Sequence, residues 1–319
     1  MDKKDEKTSA TVTKADSSAE NRCLYRMPPK LEAMINNAFT VDCTFIIGGN
    51  LGKAQTIFGH KLMFSLHSDV FESMLSGHFL EAKSTEIPLP DDDPKTFRNL
   101  RLILYNLRDT QTELNELDLS DTISLYKLCD KYLFKTISKL CVEHLKSFIG
   151  DDQSDCNNAI KIFPVAIDLH NLELLGKVKA KLSIKFYPLL SILNDLNPLH
   201  FLKYIELHAK QNQDVVNHLN LFKAIENYLT VNDLIPQELL DTEESLQKPG
   251  QGAVLLLSEE RSLEFLQKLL THIDFVRINI ADYLRGPGVS KILTWKQKYI
   301  VLSQLCINPQ PSTIKLFQN

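Results

Sequence analysis

The spacing of apolar residues changes character near residue 155. Before it, short apolar runs alternate with helical stripes; after it, only helical stripes recur. Val41-Asp42-Cys43-Thr44-Phe45-Ile46-Ile47 reads as a buried strand closed by Gly48-Gly49-Asn50. Gln55–Phe58 reads as a second strand, and the pair as a hairpin. Two short helical segments follow, His60–Ser65 and Ser68–Ser76, the second with Ser68 as its cap and Val70, Phe71, Met74 and Leu75 on one face. Thr85–Leu89 fits a short edge strand, because Pro88 has no N–H to give a central ladder. Asp93-Pro94 starts a helix carrying Phe97, Leu100, Ile103 and Leu104. Two more helices fit Leu117–Tyr132 and the stripe Ile137, Leu140, Cys141, Leu145 and Phe148. Upstream, Leu31, Met34, Ile35 and Ala38 have helical spacing on a segment too short to stand alone.

Beyond residue 155 helices are expected over 157–169, 172–186, 198–209, 214–229 and 260–271, with a long loop at 241–252. The face expected to pack in the second of these is Leu172, Leu175, Val178, Leu182 and Phe186. The pattern predicts a tail over 1–26, an α+β domain over 27–150 and an all-α domain over 155–319. The first 22 residues carry too little apolar surface to offset the entropy of ordering and are expected to be disordered.

Composition narrows the function. Of 319 residues, 44% are hydrophobic and 24% charged, and the net charge is −4. That is the balance of a folded soluble protein, without the basic excess of a nucleic-acid binder. No apolar run approaches the ~20 residues of a membrane helix, and residues 1–22 do not form a secretory signal. The six cysteines lie far apart with no C-x-x-C pair, so they are expected to be free thiols in a reducing compartment, the cytoplasm or also the nucleus.

Candidate chemistry is sparse. Gly48-Gly49-Asn50-Leu51-Gly52-Lys53 fails phosphate-loop spacing, with Ala54 where Ser or Thr is needed, and reads as a hairpin turn. Asp91-Asp92-Asp93 could suggest Mg²⁺, but it precedes Pro94 and is better suited to capping a helix. His200 and His208 could share one helix face two turns apart, with a surface or half-buried role expected. No zinc spacing, G-x-S-x-G or other nucleophile motif occurs, so no cofactor, metal or catalytic residue is expected. A binding module, not an enzyme, is the better reading.

Three segments in order carry a resemblance: Asp42-Cys43-Thr44-Phe45, then Phe58-Gly59-His60-Lys61-Leu62-Met63-Phe64, then Ser68-Asp69-Val70-Phe71-Glu72-Ser73-Met74. With Glu86–Leu89, Phe97–Tyr105 and Asp130-Lys131-Tyr132-Leu133, this set resembles a BTB (POZ) domain over about residues 30–149. Residues 155–235 are similar to the helical BACK domain that often follows BTB, with Tyr228 where family members commonly have Trp. The stretch from Ile273 to Trp295 resembles the end of such regions, and neither kelch repeats nor a β-sandwich is expected after it.

The resemblance implies a non-catalytic adaptor that dimerises through its BTB domain and recruits a protein substrate, of unknown identity, to a cullin-3 ubiquitin ligase. The alternative is a homodimeric BTB scaffold that does not engage cullin. The family's cullin contact maps onto Phe79-Leu80-Glu81, with Phe79 as apolar anchor and Glu81 as orienting charge. Without family position, the better reading folds Phe79 into its own core and leaves Glu81 in solvent. The dimer face would be Leu31, Met34 and Ile35, with Asp42 beside His60 and Lys61 near the same interface. A local capping role is the other reading of Asp42.

Overall fold

The computed structural model describes residues 40–77, 79–105, 114–150, 155–184, 191–210, 217–236 and 253–307, with Leu239 besides. The chain divides into two compact units, one ending at Ser147 and one beginning at Phe148. The expected helix at Leu31–Ala38, the cysteine at position 23 and the 241–252 loop lie outside the described residues.

In the first unit, β1 (Cys43–Ile47) and β2 (Gln55–Gly59) form an antiparallel hairpin, with Cys43 opposite Gly59 and Ile47 opposite Gln55. The turn between them begins at Gly48, whose φ of +80° suits a residue without Cβ. A Cβ there would also lie 2.9 Å from the Pro94 ring. After the helices α1 (Lys61–Ser65), α2 (Asp69–Ser76) and α3 (Leu80–Lys83), the chain returns as β3 (Glu86–Leu89). β3 lies parallel to β1, giving the order β2-β1-β3. The Thr85 carbonyl accepts from the Thr44 N–H of β1, and the Leu89 carbonyl from the Gly48 N–H just after it. By alternation the Pro88 nitrogen faces the open edge, where a missing donor does no harm.

Three helices complete the unit: α4 (Pro94–Tyr105), α5 (Leu119–Lys131) and α6 (Lys135–Ser147). Asp93 Oδ2 accepts from the Thr96 N–H at 2.7 Å, the cap its place before Pro94 predicts. Asp118 does the same for α5 through the Asp121 N–H. The core is aromatic. Phe45 on β1 meets Phe64 of α1, Phe71 of α2 and Phe97 of α4, with ring centroids 4.6, 5.8 and 4.9 Å away. Phe71 continues the cluster to Phe134. All five rings are fully buried. Burying such side chains contributes roughly 1.5–3 kcal/mol each, and the tilted and edge-on geometries add to this. Gly59 is dictated by the same cluster, because a Cβ would come within 2.9 Å of both Phe45 and Phe64.

The second unit is all-helical: α7 (Asp155–Asp168), α8 (Leu172–Ile184), α9 (Pro198–Ala209), α10 (His218–Val231), α11 (Ala253–Leu270), α12 (Ile280–Arg285) and α13 (Trp295–Ile307). Short 3₁₀ turns sit at Ser191–Asp195, Phe275–Arg277 and Pro287–Val289. Its core includes the stacked pair Phe201 and Tyr228, 3.7 Å apart, with the Tyr228 hydroxyl donating to the Leu196 carbonyl. Phe222 meets Phe275 edge-on at 6.0 Å.

Two expectations need correcting here. His200 and His208 are buried, neither at the surface nor half-buried. His200 Nε2 lies 2.8 Å from Asp168 Oδ1, and His208 packs edge-on against Tyr204 at 4.6 Å. On α8 the packing face is Leu174, Val178 and Leu182, whereas Leu172 is 80% exposed. Residue 186 lies outside the described residues.

Candidate functional site

The turn from α2 into α3 places apolar side chains in water. Ser68 fixes the start of α2, its hydroxyl accepting from the Phe71 N–H and donating to the Tyr132 carbonyl. The helix ends at Ser76, and Gly77 follows with its N–H on the Ser73 carbonyl. A Cβ at Gly77 would lie 2.4 Å from that same carbonyl oxygen, so only glycine leaves the helix by this path. Phe79 then precedes α3 with 59% of its surface exposed, and Leu80 opens α3 at 86% exposed. Glu81 is half-buried. Phe79 therefore does not belong to the core.

A four-residue helix has little stability of its own. Lys61 holds this one: its Nζ donates to the carbonyls of Glu81, Ala82 and Ser84, at 3.3, 2.9 and 2.8 Å. These carbonyls lie in the last turn of α3 and just after it, where intrahelical donors run out and a cation is favoured. Ser84 continues the anchoring, its hydroxyl accepting from the Glu86 N–H and donating to the Glu86 carbonyl. The C-terminal end of the segment is thus tied both to α1 and to β3.

Asp42 meets the backbone of the same lysine. Its Oδ1 accepts from the Lys61 N–H at 2.7 Å, which caps the first turn of α1, and its side chain is exposed. Burial, and after it the Asp42 carboxylate, push the neighbouring Cys43 thiol up to about 12. His60 bridges two partners, with Nε2 2.8 Å from the Thr40 carbonyl and Nδ1 2.7 Å from the Tyr105 hydroxyl. A carbonyl only accepts, so Nε2 donates to Thr40, and Nδ1 shares a hydrogen bond with the Tyr105 hydroxyl. That hydroxyl, raised to about 12 by burial, also accepts from the His60 N–H. The residues Asp42, His60 and Lys61 thus work as an intrachain clamp.

Leu31, Met34 and Ile35 lie outside the described residues. The exposed apolar surface of the first unit also includes Leu62 on α1 and Leu66 just after it, one helical turn apart and each 65% exposed. Sequence reading did not single these out, although their i, i+4 spacing is visible.

The Asp91-Asp92-Asp93 run has structural employment. Asp91 Oδ1 accepts from the Asn50 side chain, Asp93 caps α4, and buried Asp92 receives Lys131 Nζ at 2.6 Å and the Tyr132 hydroxyl. Burial and the Asp92 carboxylate hold the Tyr132 hydroxyl well above its ordinary range. The Asp92 clamp was missed from sequence, though Lys131-Tyr132 was already part of the recognisable motif. Among the described residues there is no cluster of three or more potential metal ligands, and no helix is long and apolar enough to cross a membrane.

Comparison with known proteins agrees with the architecture of the first unit. A family model for the BTB/POZ domain matches residues 31–149. BTB/POZ domain-containing protein 6 of Mus musculus is 35% identical over 117 residues, covering 36% of this chain and 20% of that protein. The Homo sapiens protein of the same name is 33% identical over 117 residues, covering 36% and 20%. BTB/POZ domain-containing protein 3 of Homo sapiens is 32% identical over 120 residues, covering 37% and 21%. The chain thus spans about a fifth of the length of these curated relatives. The buried phenylalanines, the β2-β1-β3 sheet and the family match converge on one assignment: the chain carries a BTB/POZ domain over residues 31–149, followed by an all-helical region.

Proposed function

We propose that this protein is a non-catalytic adaptor that dimerises through its BTB domain and recruits a protein substrate to a cullin-3 RING ubiquitin ligase. BTB domains commonly serve protein–protein interaction. The observation that carries the finer reading is the solvent exposure of Phe79 and Leu80 at the start of a helix pinned by Lys61. An apolar pair held out in water at a fixed angle suits a hot spot that fills a partner's pocket, and Glu81 supplies a charge beside it. The helical region would carry the substrate, and the ligase chemistry would reside in other subunits.

The test is calorimetric titration of the full chain with cullin-3. Binding is expected in wild type, and Phe79→Ala should weaken it at least about tenfold, or roughly 1.4 kcal/mol or more. Absence of wild-type binding at tens of micromolar would overturn the adaptor reading in favour of a BTB scaffold that only self-associates.

A further inference from the structure

The second unit holds a groove of about 420 Å³ formed by the C-terminal half of α7 together with α8 and α9. Its floor is apolar, with Phe163, Ala166, Leu175 and Leu207, and exposed Leu172 stands among the residues that line it. Its charged residues are Lys179, Lys203 and Lys210, with His170, against a single lining carboxylate, Glu206. Glu206 is already 3.6 Å from Lys210 Nζ. Among the described residues neither Lys179 nor Lys203 takes part in an ion pair.

A second observation concerns Gly176, in the middle of α8. By helical spacing it shares the face of Leu172 and Lys179, four residues after one and three before the other. Glycine is the poorest helix former after proline. Here its own chain does not require it, because a Cβ at Gly176 would meet nothing within 4 Å. A side chain is missing beside the groove, on the helix stripe that carries Leu172 and Lys179, where packing within the unit leaves room for one, which suits close approach by something from outside.

We infer that this groove binds an extended or helical segment of a substrate protein in which an apolar residue is flanked by Asp or Glu. The apolar side chain enters over Phe163, Leu175 and Leu207, the carboxylates pair with Lys179 and Lys203, and the segment's backbone passes close to Gly176. Calling the partner a substrate rests on the adaptor reading above; the groove's preference for an acidic segment does not.

The experiment uses the full chain and an array of short peptides with one or two Leu, Ile or Phe flanked by Asp/Glu, by Lys/Arg or by Ser, followed by fluorescence anisotropy on the strongest binders. Acidic peptides are expected to bind, and more weakly as salt is raised. The double variant Lys179→Glu with Lys203→Glu should lose at least about tenfold affinity for them and gain affinity for the basic set. Gly176→Leu should weaken binding without lowering the melting temperature. Should the charge-reversed protein fail to fold by circular dichroism, Lys179→Gln with Lys203→Gln gives the milder form of the same test.

Any one of four results overturns the inference: no acidic binder in the array, equal binding of neutral peptides, unchanged affinity in the charge variants, or equal competition by a thymidylate oligonucleotide. The last would assign the lysines to phosphate. Cullin-3 titration on the same samples separates the two proposals. Peptide binding without cullin-3 binding removes the adaptor reading and leaves the groove; cullin-3 binding without peptide binding removes the groove alone.

Discussion

At the scale of single residues, the exposed Phe79 and the lysine beneath it divide two kinds of work. In the adaptor reading Phe79 offers surface to a partner, and because it is mostly in water its truncation should change stability by no more than about 0.5 kcal/mol. Had it been a core residue, the loss would be ~3–5 kcal/mol, so a thermal melt beside the titration distinguishes lost contact from lost fold. Lys61 touches no partner in this reading, yet three carbonyls depend on it. Lys61→Met keeps the alkyl stem and removes the donors. It should lower domain stability by about 1–2 kcal/mol and weaken cullin-3 binding several-fold. Hydrogen exchange should then show faster amide exchange in Ala82 and Ser84, whose N–H groups donate to the Phe79 and Leu80 carbonyls. Unchanged exchange there would mean that α3 does not need its lysine. None of this is legible from Lys61 in the sequence, since the carbonyls it holds lie some twenty residues away and backbone acceptors leave no mark on residue type.

At the scale of elements, burial often outweighs local preference. Helix α7 runs through Pro164, which removes one ladder bond, because Ile160, Phe163, Val165 and Ala166 around it are all buried. On α8 the apolar residues occupy two adjoining faces, and periodicity alone grouped Leu172 and Leu175 with Val178; packing selected Leu174, Val178 and Leu182 instead. Caps were easier to read. Ser68 and Asp93 were recognisable from their place before an apolar stripe, whereas α12 and the 3₁₀ turns are too short to show a period.

One junction between elements should respond to pH. The Asp274 N–H donates to His218 Nδ1 at 3.1 Å, so the ring must be neutral at that nitrogen. Burial lowers its pKa, against the weaker raising effect of Asp274. A depressed histidine contributes stability above its unfolded pKa of ~6.5, and that contribution is lost as pH falls through the folded value. Thermal stability of the helical unit should therefore decline between neutral pH and about pH 5. The His218→Asn variant should start less stable and decline less; an identical slope in both proteins would show that His218 is not responsible.

At the scale of the whole molecule, light scattering of the full chain at micromolar concentration should report about twice 36.4 kDa. A clean monomer would remove self-association from the proposal and leave Leu62 and Leu66 as unexplained exposed surface. The order β2-β1-β3 also bears on how the protein comes to be made. The hairpin of β1 and β2 closes through a short local turn, but β3 joins β1 in parallel only after the chain has crossed from Ile47 to Glu86. Local contacts form quickly, whereas distant pairings wait on the entropy of closing the intervening chain. Helix α3 lies within that crossover, and Ser84 joins it directly to β3. A nascent chain stalled at the hairpin stage would lack this anchorage, so in the adaptor reading the surface proposed for the ligase forms only once β3 has emerged and paired, and shorter copies are poorly equipped to compete for it.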